Sequence, residues 1–294
     1  MAWPRLTLVI GKGGAGKSTI SAALADHLAQ RRPTTHVGLD QRGSAARLFG
    51  VAPPQRSAIQ VRRDLELIAL SPRRELERFI QRIVPVRMIS DRMLGSRTFA
   101  YVTAALPGLE AFLLLSRLSA MAGEAARDDR YVVVDGLSTG ASLELLSVAR
   151  GIRNLAAAGT LNRLAIDLEG FISDPNRCAV AIVVAPQQLS LKEALEAASA
   201  LREHANVNRI VAILNAVPAP LFNQAEAEQA MAADMAHGAL VRRRLDLDAA
   251  VQRVRRELAA AGLPVIELPM LFTPAVGVAE ITRLSRALGK QVEL

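Results

Sequence analysis

Cysteine is almost missing from this chain: Cys178 is the single one in 294 residues. An intrachain disulfide is therefore impossible, and a cysteine-rich metal site would have to be shared between chains. The reading that suits Cys178 is a small buried apolar side chain at the start of a strand. Aromatic residues are nearly as scarce, at 3% of a chain that is 51% hydrophobic. The core must therefore rest on Ala, Leu, Val and Ile. No uninterrupted apolar run reaches the ~18 residues that a membrane-spanning helix needs, so no transmembrane segment is expected. Met1-Ala2-Trp3-Pro4-Arg5 leads straight into a strand-like segment. No signal peptide fits there, and a cytoplasmic location is expected.

Lysine is the third scarcity. Of 36 basic residues only four are lysines, and two of them, Lys12 and Lys17, share one glycine-rich loop. Elsewhere the chain places arginine almost wherever it carries positive charge. The net charge is +8, with an isoelectric point near 10.6. Such a balance could serve nucleic acid or anionic lipid. The densest groups, Arg242-Arg243-Arg244 and Arg253, Arg255 and Arg256, lie on or beside an amphipathic pattern with Leu247, Val251, Val254 and Leu258. A solvated helix face accounts for them. No RNA-binding aromatic motif lies near, so no specific nucleic-acid binding is expected.

What is present is a rhythm of short apolar runs and longer helical patterns. The strand candidates are Leu6–Ile10, His36–Asp40, Leu65–Leu70, Tyr131–Asp135, Ala179–Ala185, Arg209–Asn215 and Pro264–Leu268. Most are continuously apolar, as strands covered on both faces should be. Helical patterns lie between them, at Lys17–Gln30, Pro72–Ile83, Leu109–Ala122, Ala141–Arg150, Leu189–His204, Asp246–Ala260 and Val276–Leu288. The alternation predicts an α/β fold: a doubly wound, mainly parallel sheet in one domain over residues 1–294. Two strand-free stretches, about 72–128 and 150–177, are read as helical insertions. The first carries Met88, Met93, Phe99, Tyr101 and the Phe112–Leu115 run, suited either to an apolar surface or to core.

Gly11-Lys12-Gly13-Gly14-Ala15-Gly16-Lys17-Ser18-Thr19 follows a predicted strand and opens a predicted helix, the context a P-loop requires. Glycines let backbone N–H groups turn inward around phosphate oxygens. The helix N-terminus adds its dipole. Lys17 is expected at the β- and γ-phosphates, Ser18 at Mg²⁺ and Thr19 at the α-phosphate of ATP. The same residues satisfy the dinucleotide fingerprint Gly11-x-Gly13-x-x-Gly16, with Asp40 as the ribose acid. That reading leaves Lys17-Ser18 unexplained. Asp40 and Asp135 each follow an apolar strand. They could cap strand-to-loop turns, but beside a phosphate loop carboxylates suit Mg²⁺.

Lys12 is surplus to an ordinary P-loop. With it the motif resembles the deviant Walker A loop of the SIMIBI ATPases, which include MinD, ParA, the nitrogenase iron protein and the ArsA-type ATPases. Later segments resemble the ArsA-type branch: Asp40-Gln41-Arg42-Gly43-Ser44, Leu106-Pro107-Gly108-Leu109-Glu110, Tyr131–Leu143 with Asp135, Thr139 and Gly140, Val207-Asn208-Arg209 leading to Asn215, and Leu268-Pro269-Met270 with Gly277. Against that branch's switches, Gln41, Arg42 and Gly43 replace Pro, Ala and His, and the second switch lacks its Pro and His.

The resemblance implies a Mg²⁺-dependent dimeric ATPase with an α-helical subdomain, hydrolysing ATP to switch conformation on a protein client or membrane partner. It makes Lys12, Lys17 and Asp40 the catalytic residues. Lys12 would reach the partner's nucleotide and Asp40 would orient the attacking water. Ser18, Asp40 and Asp135 would serve the metal; Asn215 and the segment from Pro269 and Met270 to Phe272 would meet adenine. The dimer could be homomeric or formed with a paralogue. Other outcomes are a MinD- or ParA-like positioning ATPase, with a mildly amphipathic C-terminal segment, or a weakly hydrolysing regulatory subunit. The arsenite site's cysteines and the targeting ATPase's Cys-x-x-Cys are absent, which disfavours those two sub-functions.

Overall fold

The computed structural model describes residues 3–39, 43–55, 57–83, 108–155, 158–219, 221–222, 224–233 and 235–291. Its centre is an eight-stranded sheet in the order β3-β4-β2-β5-β1-β6-β7-β8. The strands are β1 (Leu6–Gly11), β2 (Thr34–Gly38), β3 (Ile59–Arg62), β4 (Leu65–Ala69), β5 (Tyr131–Ser138), β6 (Cys178–Val184), β7 (Ile210–Val217) and β8 (Val265–Pro269). Every pairing is parallel except that of β3 with β4. Helices α1 (Lys17–Ala29), α2 (Ser44–Leu48), α3 (Pro72–Ile83), α4 (Leu109–Arg127), α5 (Thr139–Leu155), α6 (Thr160–Ser173), α7 (Gln188–Ala205), α8 (Gln224–Ala233), α9 (Met235–Ala260) and α10 (Val278–Gly289) complete the described elements.

The apolar strands alternate between two cores, as side chains on a pleated strand must. Leu6, Leu8 and Ile10 of β1, Val132 and Val134 of β5, and Val180 and Ile182 of β6 face the layer of α4, α5, α6 and α7. Val9, Val133, Ala181 and Val183 face the layer of α1 and α10. This is why those strands read as continuous apolar runs rather than alternating ones. It also makes the fold a doubly wound α/β sandwich. Helix α1 is buried along its whole middle, from Ile20 to Leu28, between the sheet and α10. Phe112, Leu114 and Leu115 of α4 are core residues. Truncating Phe112 to alanine would cost about 3–5 kcal/mol.

Several boundaries differ from the sequence reading, each for a local reason. β3 has no counterpart in the expected strands. It is a four-residue edge strand of alternating character, Ile59-Gln60-Val61-Arg62, joined to β4 by a two-residue turn. Arg62 fastens it: one guanidinium nitrogen lies 3.0 Å from the buried Asp26 of α1, and another donates to Thr282 Oγ1 of α10 at 2.9 Å. β5 continues past Asp135 to Ser138 because Gly136 has no side chain; a Cβ there would stand 2.6 Å from the Val9 carbonyl oxygen. The stretch 150–177 holds the end of α5 and α6, whose Ala165, Leu168, Phe171 and Ile172 are buried against the sheet. Cys178 is fully buried at the start of β6. Met88, Met93, Phe99, Tyr101, Leu106 and Pro107 lie outside the described residues.

Candidate functional site

Parallel strands direct all their carboxyl ends to one rim of the sheet, and ligands of open α/β sheets bind there, where neighbouring crossovers leave in opposite directions. Here that point is β1. Its crossover through α1 runs to β2 on one side, while β6, β7 and β8 build outward on the other.

The loop leaving β1 is shaped by close backbone approach. A Cβ on Gly11 would stand 2.5 Å from the Val183 carbonyl oxygen of β6. Gly16 ends the loop in the left-handed region, at φ 96°, and caps α1 without any side-chain hydrogen bond. A Cβ there would meet Asn215 Nδ2 at 2.5 Å. The Ala15 amide donates to the Lys12 carbonyl at 3.2 Å, closing the turn. Lys17 folds back across it and donates from Nζ to the same carbonyl, also at 3.2 Å. The first turn of α1 carries no acidic residue. Within α1 itself nothing offsets the positive end of the helix, since Gly16 has no side chain to cap its amides.

Asn215, near the end of β7, donates from Nδ2 to the Ala15 carbonyl at 2.9 Å. It therefore ties the loop to a strand two positions away in the sheet. Asp135 lies on β5 in register with Val9 of β1 and is 2% exposed. On its other side it is in register with Gly38 of β2, and its carbonyl accepts from the Leu39 amide at 3.4 Å. Asp40 follows directly but lies outside the described residues, with Gln41 and Arg42. Pro269 and Met270 sit one strand further out than Asn215, where the Met270 amide donates to the Val217 carbonyl at 2.8 Å. Phe272 just beyond them is 78% exposed. The structure thus brings residues 11–19, Asp135 and Asn215 to one place, with Pro269 and Met270 at its margin.

One partner escaped the sequence reading. Lys12 forms an ion pair with Glu193 on α7, both side chains about one-third exposed. Glu193 sits in an ordinary amphipathic helical pattern, and nothing in its local spacing marks it. Only the packing of α7 beside β6 carries it to the loop. The start of α7 is fastened by Ser190, whose Oγ accepts from the Ala185 amide at 2.9 Å.

Among the described residues, no group of three or more His, Cys, Asp or Glu side chains could hold a metal by itself. No described helix is long and apolar enough to cross a membrane. Cys178 offers no nucleophile, since burial pushes its thiol up to about 12.

Against known proteins, a family model described as anion-transporting ATPase matches residues 4–158. The curated protein named ATPase BagA, from Mycobacterium tuberculosis, is 27% identical over 221 residues. The Mb3704 protein of Mycobacterium bovis, provisionally named an ATPase, matches to the same extent. These alignments cover 69% of this chain and 64% of each relative, so the match spans less than two thirds of the relatives' own length.

Proposed function

The chain belongs to the anion-transporting ATPase family, and from that premise we propose that it is a magnesium-dependent ATPase working as a dimeric switch. The observation that carries the reading is the loop from Gly11 to Thr19. It places two lysines and an uncapped helix N-terminus, free of acidic residues, at the carboxyl end of the central strand. An anion of high charge density suits it.

The loop is open on its outer side. A Cβ built on Gly13 or Gly14 meets nothing within 4 Å, so the backbone there is accessible to a ligand. Lys17 would exchange the Lys12 carbonyl for phosphate. Ser18 and Asp135, with Asp40, are the residues to hold a magnesium ion, which supplies charge neutralisation for the transferred phosphoryl group. Asp40 is proposed to orient the attacking water, and Asn215 to brace the loop while meeting adenine together with Pro269 and Met270.

Lys12 is proposed to change partners. Within one protomer it pairs with Glu193; in an ATP-bound dimer, homomeric or with a paralogue, it would cross to the other subunit's nucleotide. ATP then favours the dimer and hydrolysis releases it, which can drive a protein client or membrane partner between two states. A second reading, a weakly hydrolysing regulatory subunit, is favoured by one observation. β5 runs unbroken through Ser138 into α5, with no proline to shape the second switch. Phosphate release by the purified chain, beside Lys17→Ala, tests the proposal. Magnesium-dependent turnover lost in the variant supports it; nucleotide binding without turnover selects the second reading.

A further inference from the structure

We infer that His36 is a positioning residue for Ser18, acting through Ser21; the inference rests on the phosphate-loop reading above. His36 lies in the middle of β2 and is 1% exposed, in register with Leu67 of β4 and Val133 of β5. An imidazole among such neighbours costs desolvation that a leucine would not, unless it is hydrogen-bonded. Its Nε2 lies 3.0 Å from Ser21 Oγ, on the buried side of α1. The same Oγ lies 3.0 Å from the Ser18 carbonyl oxygen.

The Ser21 hydroxyl thus stands between an imidazole nitrogen and a carbonyl oxygen. A carbonyl only accepts, so in the contact with Ser18 the Ser21 hydroxyl is the donor. That hydroxyl has one hydrogen to give, so a continuous relay requires the His36 tautomer that carries its hydrogen on Nε2. In that tautomer the relay runs from the imidazole N–H to Ser21 Oγ and from the Ser21 O–H to the Ser18 carbonyl. It fastens the first turn of α1 to the centre of the sheet, at the residue whose own hydroxyl is proposed to meet magnesium. A serine bonding three residues back is ordinary in a helix. A buried histidine within hydrogen-bond reach of that serine is not needed for helix formation. The role assigned to His36 is therefore orientation of the metal-binding serine rather than filling of the core.

The test is the magnesium dependence of nucleotide binding, followed with a fluorescent ATP analogue titrated with Mg²⁺ and again in EDTA. His36→Phe and Ser21→Ala should each raise the Mg²⁺ needed for half-saturation about five- to tenfold, the loss of one hydrogen bond in a positioned network. Affinity in EDTA should stay within about twofold of wild type. His36→Gln, which restores an amide donor, should recover most of the effect. Should His36→Phe fail to fold, Ser21→Ala removes a single oxygen and carries the same test. Equal weakening with and without magnesium, or unchanged magnesium dependence, would overturn the relay alone. A wild-type protein that binds no nucleotide would overturn the phosphate-loop reading and the relay with it.

Discussion

Lys12 of the phosphate loop is ion-paired with Glu193 of α7, 181 residues further along the chain. The pair closes one side of the loop onto a helix of the same protomer. It is partly solvent-screened, so its contribution to stability is only about 0.2–1 kcal/mol. A contact that weak can be exchanged for another at small cost, as a switch requires. Glu193→Gln should therefore leave the melting temperature nearly unchanged while raising ATP-dependent self-association severalfold, read by sedimentation velocity. Association that stays at the wild-type level, or falls, would mean that the pair does not compete with dimer formation.

The loop's shape depends on a second contact, between Asn215 and the Ala15 carbonyl. Asn215→Ala removes the donor and should weaken nucleotide binding about tenfold, in line with a net hydrogen bond of about 1 kcal/mol and some loosening of the loop. Gly16→Ala should be harsher. It forces a side chain into the left-handed region and onto Asn215, and should abolish measurable nucleotide binding. Calorimetric titration with ATP separates the two. Equal, mild effects would show that the loop rearranges freely.

Cys178 supplies a test of the core rather than of the site. Its thiol is fully buried and pushed up to about 12 by loss of solvent, so almost none is thiolate at neutral pH. A maleimide should fail to label the native protein over an hour and should label it fully in guanidinium. Rapid native labelling would show that β6 opens.

Acid stability should report on His27. Its imidazole is buried, and burial together with the neighbouring Arg31 holds its pKa below the ordinary 6.5, with Asp26 pulling the other way. The unfolded chain takes up a proton near 6.5, whereas the folded chain resists it until lower pH. The unfolded state thus binds more protons in that window, so stability falls as pH drops through 6.5 and levels off below the folded value. The melting temperature should decline from pH 7.5 to 5.5, and His27→Gln should flatten that decline. Parallel slopes for the two proteins would exclude His27 as the group responsible.

The sequence carried most of the frame because its local signals were strong. β1, β6 and most of β7 are buried on both faces, and apart from Thr7 and Asn215 their side chains are apolar. The turn from Gly11 to Gly16 is legible for a similar reason, since close backbone and side-chain approaches at Gly11 and Gly16 leave no space for a Cβ. β3 was illegible: four half-exposed residues become a strand only by pairing with β4 and through Arg62 reaching Asp26. Glu193 and His36 were illegible in the same sense. Each has an ordinary neighbourhood in sequence, and only tertiary packing brings it to Lys12 or to Ser21. Gly136 stood in plain view, but its need for close approach to Val9 shows only once β5 and β1 are paired.

The proposal that ATP drives two protomers together through Lys12 is tested most directly by turnover per protomer against protein concentration. Phosphate release should be measured for wild type and Lys12→Ala over about two decades of concentration with saturating Mg²⁺ and ATP. The account predicts that wild-type turnover rises with concentration to a plateau, while Lys12→Ala binds ATP but stays low throughout. Turnover independent of concentration, and equal in the two proteins, would contradict it.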